Sequence, residues 1–166
     1  MRGQGVHRRL AIGPYNVAGQ GREWAAALRR STDIEAFSFA GTRRSTRRID
    51  GPSDRRIPPG RFPGVFVNPW LRRLLRGTTH VLDESLAPLL AQSDDLMSQQ
   101  SLDLLAHQGI RLGAVFHGSD IRCPDRHQQR ISASYFRESD PAWSAELGAS
   151  AARRRQRYRD GSAVLV

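Results

Sequence analysis

Short apolar runs alternate with longer amphipathic segments along this chain of 166 residues. Six runs of three to seven residues carry mostly apolar side chains and are bounded by glycine, proline or charged residues. Runs of this length between turn-forming residues predict β-strands. The predicted strands cover residues 9–13, 34–40, 65–67, 80–83, 112–116 and 163–166.

Four amphipathic segments between these runs predict helices over residues 22–30, 68–77, 93–109 and 140–161. The last three begin where a side-chain oxygen can accept the first free amides, and each ends at a glycine, which is the usual punctuation of a helix. In the last helix one face holds Trp143, Leu147, Ala151 and Tyr158. This spacing predicts that its arginines point outward.

Strands that alternate with helices predict an α/β fold with a Rossmann-like, mostly parallel sheet and flanking helices. The length fits one domain over residues 1–166. Because ligands bind at the carboxyl ends of parallel strands, the turns at residues 13–21 and 117–122 should lie on the same edge. The chain ends on the apolar run 163–166, from which we expect a second domain to follow.

Residues 41–64 interrupt this alternation, because they hold four prolines and four glycines among arginines. The segment shows no apolar periodicity, so it is predicted to be a mobile loop.

The net charge is +10, and all 26 basic residues are arginines. Residues 41–61 contribute +5 and residues 150–160 contribute +4, so nine of the ten excess charges lie in two segments. One interpretation is an anionic partner, such as phosphate groups, lipid headgroups or nucleic acid. The other is a solvated loop and a solvated helix face.

Cys123 is the single cysteine, so no internal disulfide can form. No apolar run approaches the roughly 20 residues that span a bilayer, and the first residues lack the apolar stretch of a secretory signal. We therefore expect a cytoplasmic protein. Cys123 and the nearby His127 match no metal-ligand spacing, so no bound metal is expected.

The loop over residues 13–21 follows the first strand and places Gly19, Gln20 and Gly21 where the first helix begins. Free amides and the helix dipole favour an anion there, and glycine lets a ligand approach the backbone. The spacing is neither a dinucleotide fingerprint nor a P-loop. A tight turn without a ligand is the alternative.

A second polar turn, His117 to Arg122, follows the strand at 112–116. His117 can act as an acid, a base or a hydrogen-bond donor to a sugar hydroxyl, and Arg122 can meet a phosphate. Asp120 can orient the histidine or bind a hydroxyl, with Gly118 and Ser119 beside it. The alternative is a histidine satisfied by the backbone, with Asp120 capping the next turn.

A third polar group lies at residues 80–85, where His80, Asp83, Glu84 and Ser85 accompany another strand. Its carboxylates can bind hydroxyls, and Asp83 is the one that we assign to substrate binding. Solvated loop acids are the alternative.

These elements, in this order, resemble the N-terminal domain of retaining, family-four-like glycosyltransferases with the GT-B fold. Two segments carry the resemblance: the opening strand, glycine loop and first helix over residues 12–29, and the strand and histidine turn over residues 115–122. The resemblance implies the acceptor-side half of a transferase, which moves a sugar from a nucleotide-sugar donor to a glycan, lipid or small-molecule acceptor. It implies no bound cofactor.

By the same resemblance, His117 would contact the transferred sugar, and Gly19 and Gly21 would approach the donor. A second domain would hold the nucleotide sugar, so this chain alone is expected to be inactive. An arginine-rich surface would suit a transferase that visits the inner face of an anionic membrane.

Two rival functions remain open. The first is an arginine-rich module that binds nucleic acid or phosphate, although no aromatic residues are interleaved with the arginines for base stacking and no specific nucleic-acid partner is expected. The second is another Rossmann-like nucleotide-dependent enzyme. The missing dinucleotide fingerprint speaks against it.

Overall fold

The computed structural model describes residues 7–41, 51–57, 69–86 and 99–160. They form a five-stranded sheet flanked by helices. The strands are β1 (Arg9–Ile12), β2 (Glu35–Gly41), β3 (Arg55–Ile57), β4 (His80–Glu84) and β5 (Arg111–Val115). The helices are α1 (Gln20–Ser31), α2 (Pro69–Leu75), α3 (Gln99–His107), α4 (Gly118–Ile121), α5 (Pro124–Arg130) and α6 (Pro141–Asp160), with a 3₁₀ turn at Tyr135–Arg137.

All four strand pairings are parallel, and the strand order is β3-β2-β1-β4-β5. The predicted α/β, Rossmann-like fold class is therefore confirmed. The chain passes from β1 outward to β3 and then returns to β4 on the other side of β1. In an open sheet, a ligand crevice forms at such a reversal, outside the carboxyl ends of the strands.

The two faces of the sheet bury different apolar clusters. Val81 and Leu112 belong to the cluster that includes the leucines of α2 and α3. Ile12 and Leu82 belong to the cluster formed with α1. Since successive strand residues point to opposite faces, these positions show which face each neighbouring side chain joins.

The predicted helix ends agree with the backbone conformation. Gly77 follows α2 with φ of 73° and Gly109 follows α3 with φ of 66°, in the left-handed region where glycine is favoured. The prediction for the third helix also included residues 93–98, which lie outside the described residues. The predicted strands at 65–67 and 163–166 lie outside them too.

The predicted loop at 41–64 is wrong in one part, because Arg55–Ile57 forms the edge strand β3 beside β2. The sequence carries no strand signal here, because two of the three residues of β3 are exposed arginines and only Ile57 is buried. Residues 42–50 and 58–64 lie outside the described residues.

The prediction that every arginine of α6 points outward is also wrong. Arg154 is only 8% exposed, whereas Trp143 and Tyr158 of the predicted apolar face are about half exposed, at 47% and 45%. Ala151 is fully buried, as predicted. Arg154 shares the face of Ala151 and Tyr158 by helical spacing, so α6 buries a cation within its contact face.

The segment that leads into β3 is fixed by Asp54. The Asp54 carboxylate accepts hydrogen bonds from the backbone amide (2.8 Å) and hydroxyl (3.1 Å) of Ser38 and from Nη1 of Arg29 (3.3 Å). Partial burial raises the pKa of Asp54, but the hydrogen bonds from Ser38 and Arg29 outweigh burial and hold the pKa below its ordinary value of 3.8.

We expect Asp54→Asn to destabilise the protein at neutral pH more than at acidic pH. A carboxyl group whose pKa is lower in the folded state stabilises that state above its unfolded pKa, about 4, and this contribution is lost as the pH falls through the folded value. Urea unfolding at pH 7 and at pH 3 measures the difference. Asp33→Asn, at an exposed loop position, is the control. An equal loss at both pH values for Asp54→Asn would contradict the electrostatic role.

We expect Gly51→Ala to lower the free energy of unfolding by about 1–3 kcal/mol, because an added methyl group has no room. A Cβ atom at Gly51 would lie 2.2 Å from the amide nitrogen and 2.4 Å from Cα of Gly19. Gly148→Ala, inside α6, is the matched control, since its Cβ would meet only Pro124 Cδ at 3.6 Å. Alanine is favoured over glycine within a helix by roughly 0.5–1 kcal/mol. Denaturant titration compares the two variants; an undiminished stability in Gly51→Ala would contradict this packing.

Candidate functional site

The carboxyl edge of the sheet gathers the polar turns that follow β1, β4 and β5. The loop from Gly13 leads into α1, Ser85 follows β4, and His117 follows β5. Since β1, β4 and β5 are adjacent and parallel, their ends meet at the reversal of strand order. The prediction that the turns at 13–21 and 117–122 share one edge is confirmed.

The glycine loop is shaped by contacts within the chain. Gly19 is left-handed, with φ of 80°, and Gly21 is buried against Asn16 and Ile12, where a Cβ would meet neighbouring atoms at 3.1 and 3.2 Å. Gln20 is exposed at the first residue of α1. Backbone conformation and close packing therefore account for Gly19 and Gly21 without a ligand.

One side of this loop is covered by the segment before β3. The Asn16 amide donates hydrogen bonds to the carbonyl oxygens of Gly51 (3.2 Å) and Pro52 (2.7 Å), and its oxygen accepts one from the amide of Arg22 (3.2 Å). Gly51 rests directly on Gly19. The segment before β3 therefore closes this side of the glycine loop to a ligand.

Glu84, the last residue of β4, is fully buried beneath this loop. Its Oε2 accepts a hydrogen bond from the amide of Val17 at 3.0 Å and lies 3.5 Å from Nε2 of His117. Its Oε1 is buried and has no hydrogen-bond partner among the described residues. One carboxylate thus connects the turn after β1 with the turn after β5.

His117 is partly accessible, with 28% of its side chain exposed. The 3.5 Å separation from Glu84 falls in ion-pair range, but it does not meet hydrogen-bond geometry, and within the described residues Nε2 has no hydrogen-bond partner. Buried polar atoms normally have a partner, so this imidazole and carboxylate retain capacity for a ligand hydroxyl or a water. The pair can orient a hydroxyl or transfer a proton.

Asp120 has a structural role at this edge. Its Oδ2 accepts hydrogen bonds from the backbone amide of His117 (2.7 Å) and from the hydroxyl of Ser85. Arg154 lies 3.9 Å from Oδ1 and donates to the backbone carbonyl of Ser85 at 3.3 Å. These contacts match the capping alternative, and they fix the backbone that carries His117.

The remaining residues of the second turn lie around α4. Gly118 is exposed at its first position, and Ser119 follows in the same turn. Arg122 is exposed beyond the helix, and its Nη1 donates to the hydroxyl of Tyr135 at 2.9 Å. The guanidinium also lies near Gly118, where a Cβ would be 3.0 Å from Nη2.

Asp83 is fully buried but belongs to the other face of the sheet. It alternates with Glu84 along β4 and shares the face of Val81, which packs with α2 and α3. The structure therefore brings Glu84, and not Asp83, to His117. His80, which the sequence grouped with these acids, begins β4 and lies at the opposite edge, with Nδ1 2.8 Å from the hydroxyl of Thr79.

The sequence interpretation gave Arg154 no role, and it named Glu84 among the carboxylates that can bind hydroxyls but assigned only Asp83 to the site. Strand parity places Glu84 on the face of Leu82, two residues earlier, and the fold shows that this face lies on the α1 side. Helical spacing from Ala151 was the signal for Arg154.

Within the described residues no group of three or more histidine, cysteine or acidic side chains could hold a metal ion, and no helix is long and apolar enough to cross a membrane.

No family model matches this sequence, and comparisons with curated proteins and with solved structures give no significant match. The geometry of the carboxyl edge and the resemblance of the two sequence segments are therefore what point to a function.

We expect Arg154→Leu to lower the free energy of unfolding by about 2 kcal/mol, because Asp120 would keep a buried charge after losing its nearby cation. Arg153→Leu, at the exposed neighbouring position on α6, should change stability by less than about 0.5 kcal/mol. Chemical denaturation of both variants measures the difference. Equal effects would show that Arg154 contributes nothing specific to this edge.

Proposed function

We propose that this domain is the acceptor-side half of a GT-B glycosyltransferase, which transfers a sugar from a nucleotide sugar with retention of configuration. The observation that supports the proposal is the placement of His117 beside the buried Glu84 at the reversal of strand order. Oε1 of Glu84 and Nε2 of His117 are buried without a hydrogen-bond partner among the described residues, at the edge of the sheet where α/β proteins of this topology bind ligands.

In this proposal His117 is the catalytic residue and hydrogen-bonds a hydroxyl of the transferred sugar. Glu84 is a positioning residue, since its carboxylate lies 3.5 Å from His117 and is itself held by the amide of Val17. Asp120 holds the turn that carries His117, because its carboxylate accepts hydrogen bonds from the His117 amide and the Ser85 hydroxyl. The acceptor is a glycan, a lipid or a small molecule that enters beside α4, where Gly118 is exposed.

The donor requires a second set of binding residues opposite the carboxyl edge. Positioning two reactants can contribute roughly 7–11 kcal/mol to catalysis, and one crevice edge cannot position both. We therefore propose that a further domain binds the nucleotide sugar and that residues 1–166 alone do not transfer. We also propose a cytoplasmic location, with acceptors reached at the inner membrane face if they are lipids.

A nucleic-acid or phosphate-binding module is the second candidate, because arginines cluster around one cavity of the domain. That cavity is separate from the carboxyl edge, so it does not compete with this proposal for the role of His117.

We expect His117→Ala, in the protein together with its donor-binding domain, to lower sugar transfer by about 100-fold, the usual effect of losing one hydrogen-bond donor to the transition state. Turnover should fall more than stability, which the melting temperature measures: Asp120 still accepts the backbone amide of residue 117, although the buried Glu84 carboxylate loses the neighbouring ring. Release of nucleoside diphosphate from a panel of nucleotide sugars measures the activity. His107→Ala, exposed at the end of α3, is the control. Unchanged turnover in His117→Ala would contradict the proposal.

A further inference from the structure

Six arginines line one cavity of about 850 Å³ on the side of the sheet away from α1. They come from three elements that are distant in the sequence: β1, β3 and the end of α2. The lining arginines are Arg9, Arg55, Arg56, Arg72, Arg73 and Arg76, with Ile57 and Leu74 as apolar members. Among the described residues, none that lines this cavity belongs to the turns after β1, β4 and β5.

The positive charge in this cavity is poorly compensated. Arg9 pairs with Glu35 (Nε to Oε1, 3.1 Å), but in the described part of the chain no acidic side chain pairs with the other five arginines. A local excess of five positive charges equals half of the net charge of +10. Like charges around one cavity repel each other, and a bound anion relieves that repulsion.

Two of the guanidinium groups are held in place by an aromatic ring. Cζ of Arg55 lies 4.1 Å, and Cζ of Arg9 lies 5.1 Å, from the ring centroid of the buried Phe37. Cation–π contact stabilises both cations at this site. Nη1 of Arg9 also donates to the carbonyl oxygen of Arg76 at 2.6 Å, which ties β1 to the end of α2.

We propose that this cavity binds a soluble ligand that carries several phosphate groups. Guanidinium groups are planar donors that match phosphate oxygens bidentately, and several of them around one concavity favour several phosphates over one. The volume lies within the range of small-molecule sites, about 300–1,000 Å³. A concave site of this size favours a compact polyanion over a membrane surface or duplex nucleic acid.

The probe is inorganic tripolyphosphate, titrated by calorimetry at constant ionic strength. We expect the double variant Arg72→Gln/Arg73→Gln to bind it at least about tenfold more weakly than the parent protein, because two lining cations are removed. Both residues are exposed on α2, so the fold should survive, which circular dichroism checks. Arg55→Gln should weaken binding in the same direction.

The matched control is Arg126→Gln/Arg130→Gln, which removes the same charge from exposed positions of α5. If the control variant binds tripolyphosphate within about twofold of the parent affinity, the site is a defined one. Equal weakening in both double variants would show only attraction by net charge and would overturn the proposal. Vesicles containing phosphatidylserine and a short duplex DNA form the second arm. Tighter binding of either one than of tripolyphosphate, lost in Arg72→Gln/Arg73→Gln, would assign the arginines to a macromolecular surface and overturn the proposal.

Discussion

The carboxyl edge of this sheet depends on one buried carboxylate. Glu84 lies at the end of the strand next to β1, where its Oε2 accepts the Val17 amide and approaches the His117 imidazole. A buried carboxylate is tolerated only where hydrogen bonds or cations compensate its lost hydration. The turn after β1 supplies one such bond, and the turn after β5 places an imidazole ring 3.5 Å away. The geometry of both turns is therefore coupled through a side chain that belongs to neither.

The glycine loop illustrates why residue type alone does not identify a ligand site. Gly19 is left-handed and supports Gly51, whereas Gly21 allows Ile12, Asn16 and α1 to pack closely. These requirements exist whether or not an anion binds at the helix start. Gly51 closes one side of the loop. The polar atoms without a hydrogen-bond partner at this edge belong, among the described residues, to Glu84 and His117, so they lie toward β4 and β5 and not at the glycines.

The sequence was informative where one periodicity dominated. Strands β1, β2, β4 and β5 are apolar runs, and the ends of α2 and α3 are marked by Gly77 and Gly109, so all were predictable. β3 was not, because an edge strand can expose Arg55 and Arg56 and bury a single residue. The sequence interpretation also assigned Asp83, and not Glu84, to the site. Adjacent strand residues point to opposite faces of the sheet, and only the fold shows which face α1 covers.

The distribution of arginines constrains what the crevice can bind by itself. Arg154 is engaged by Asp120 and Ser85, and Arg122 is bound to Tyr135. Arg155 donates to the carbonyl oxygen of Ile121, so these three arginines near the turn are already committed to the fold. Five arginines that have no acidic partner among the described residues lie instead around the cavity beside Phe37, with Arg9 at the opposite end of β1. A crevice that offers a histidine and a carboxylate is suited to hydroxyl groups and not to phosphates. If a nucleotide sugar reacts here, as we propose, we expect the donor-binding domain to balance its phosphate charge while this edge contacts the sugar.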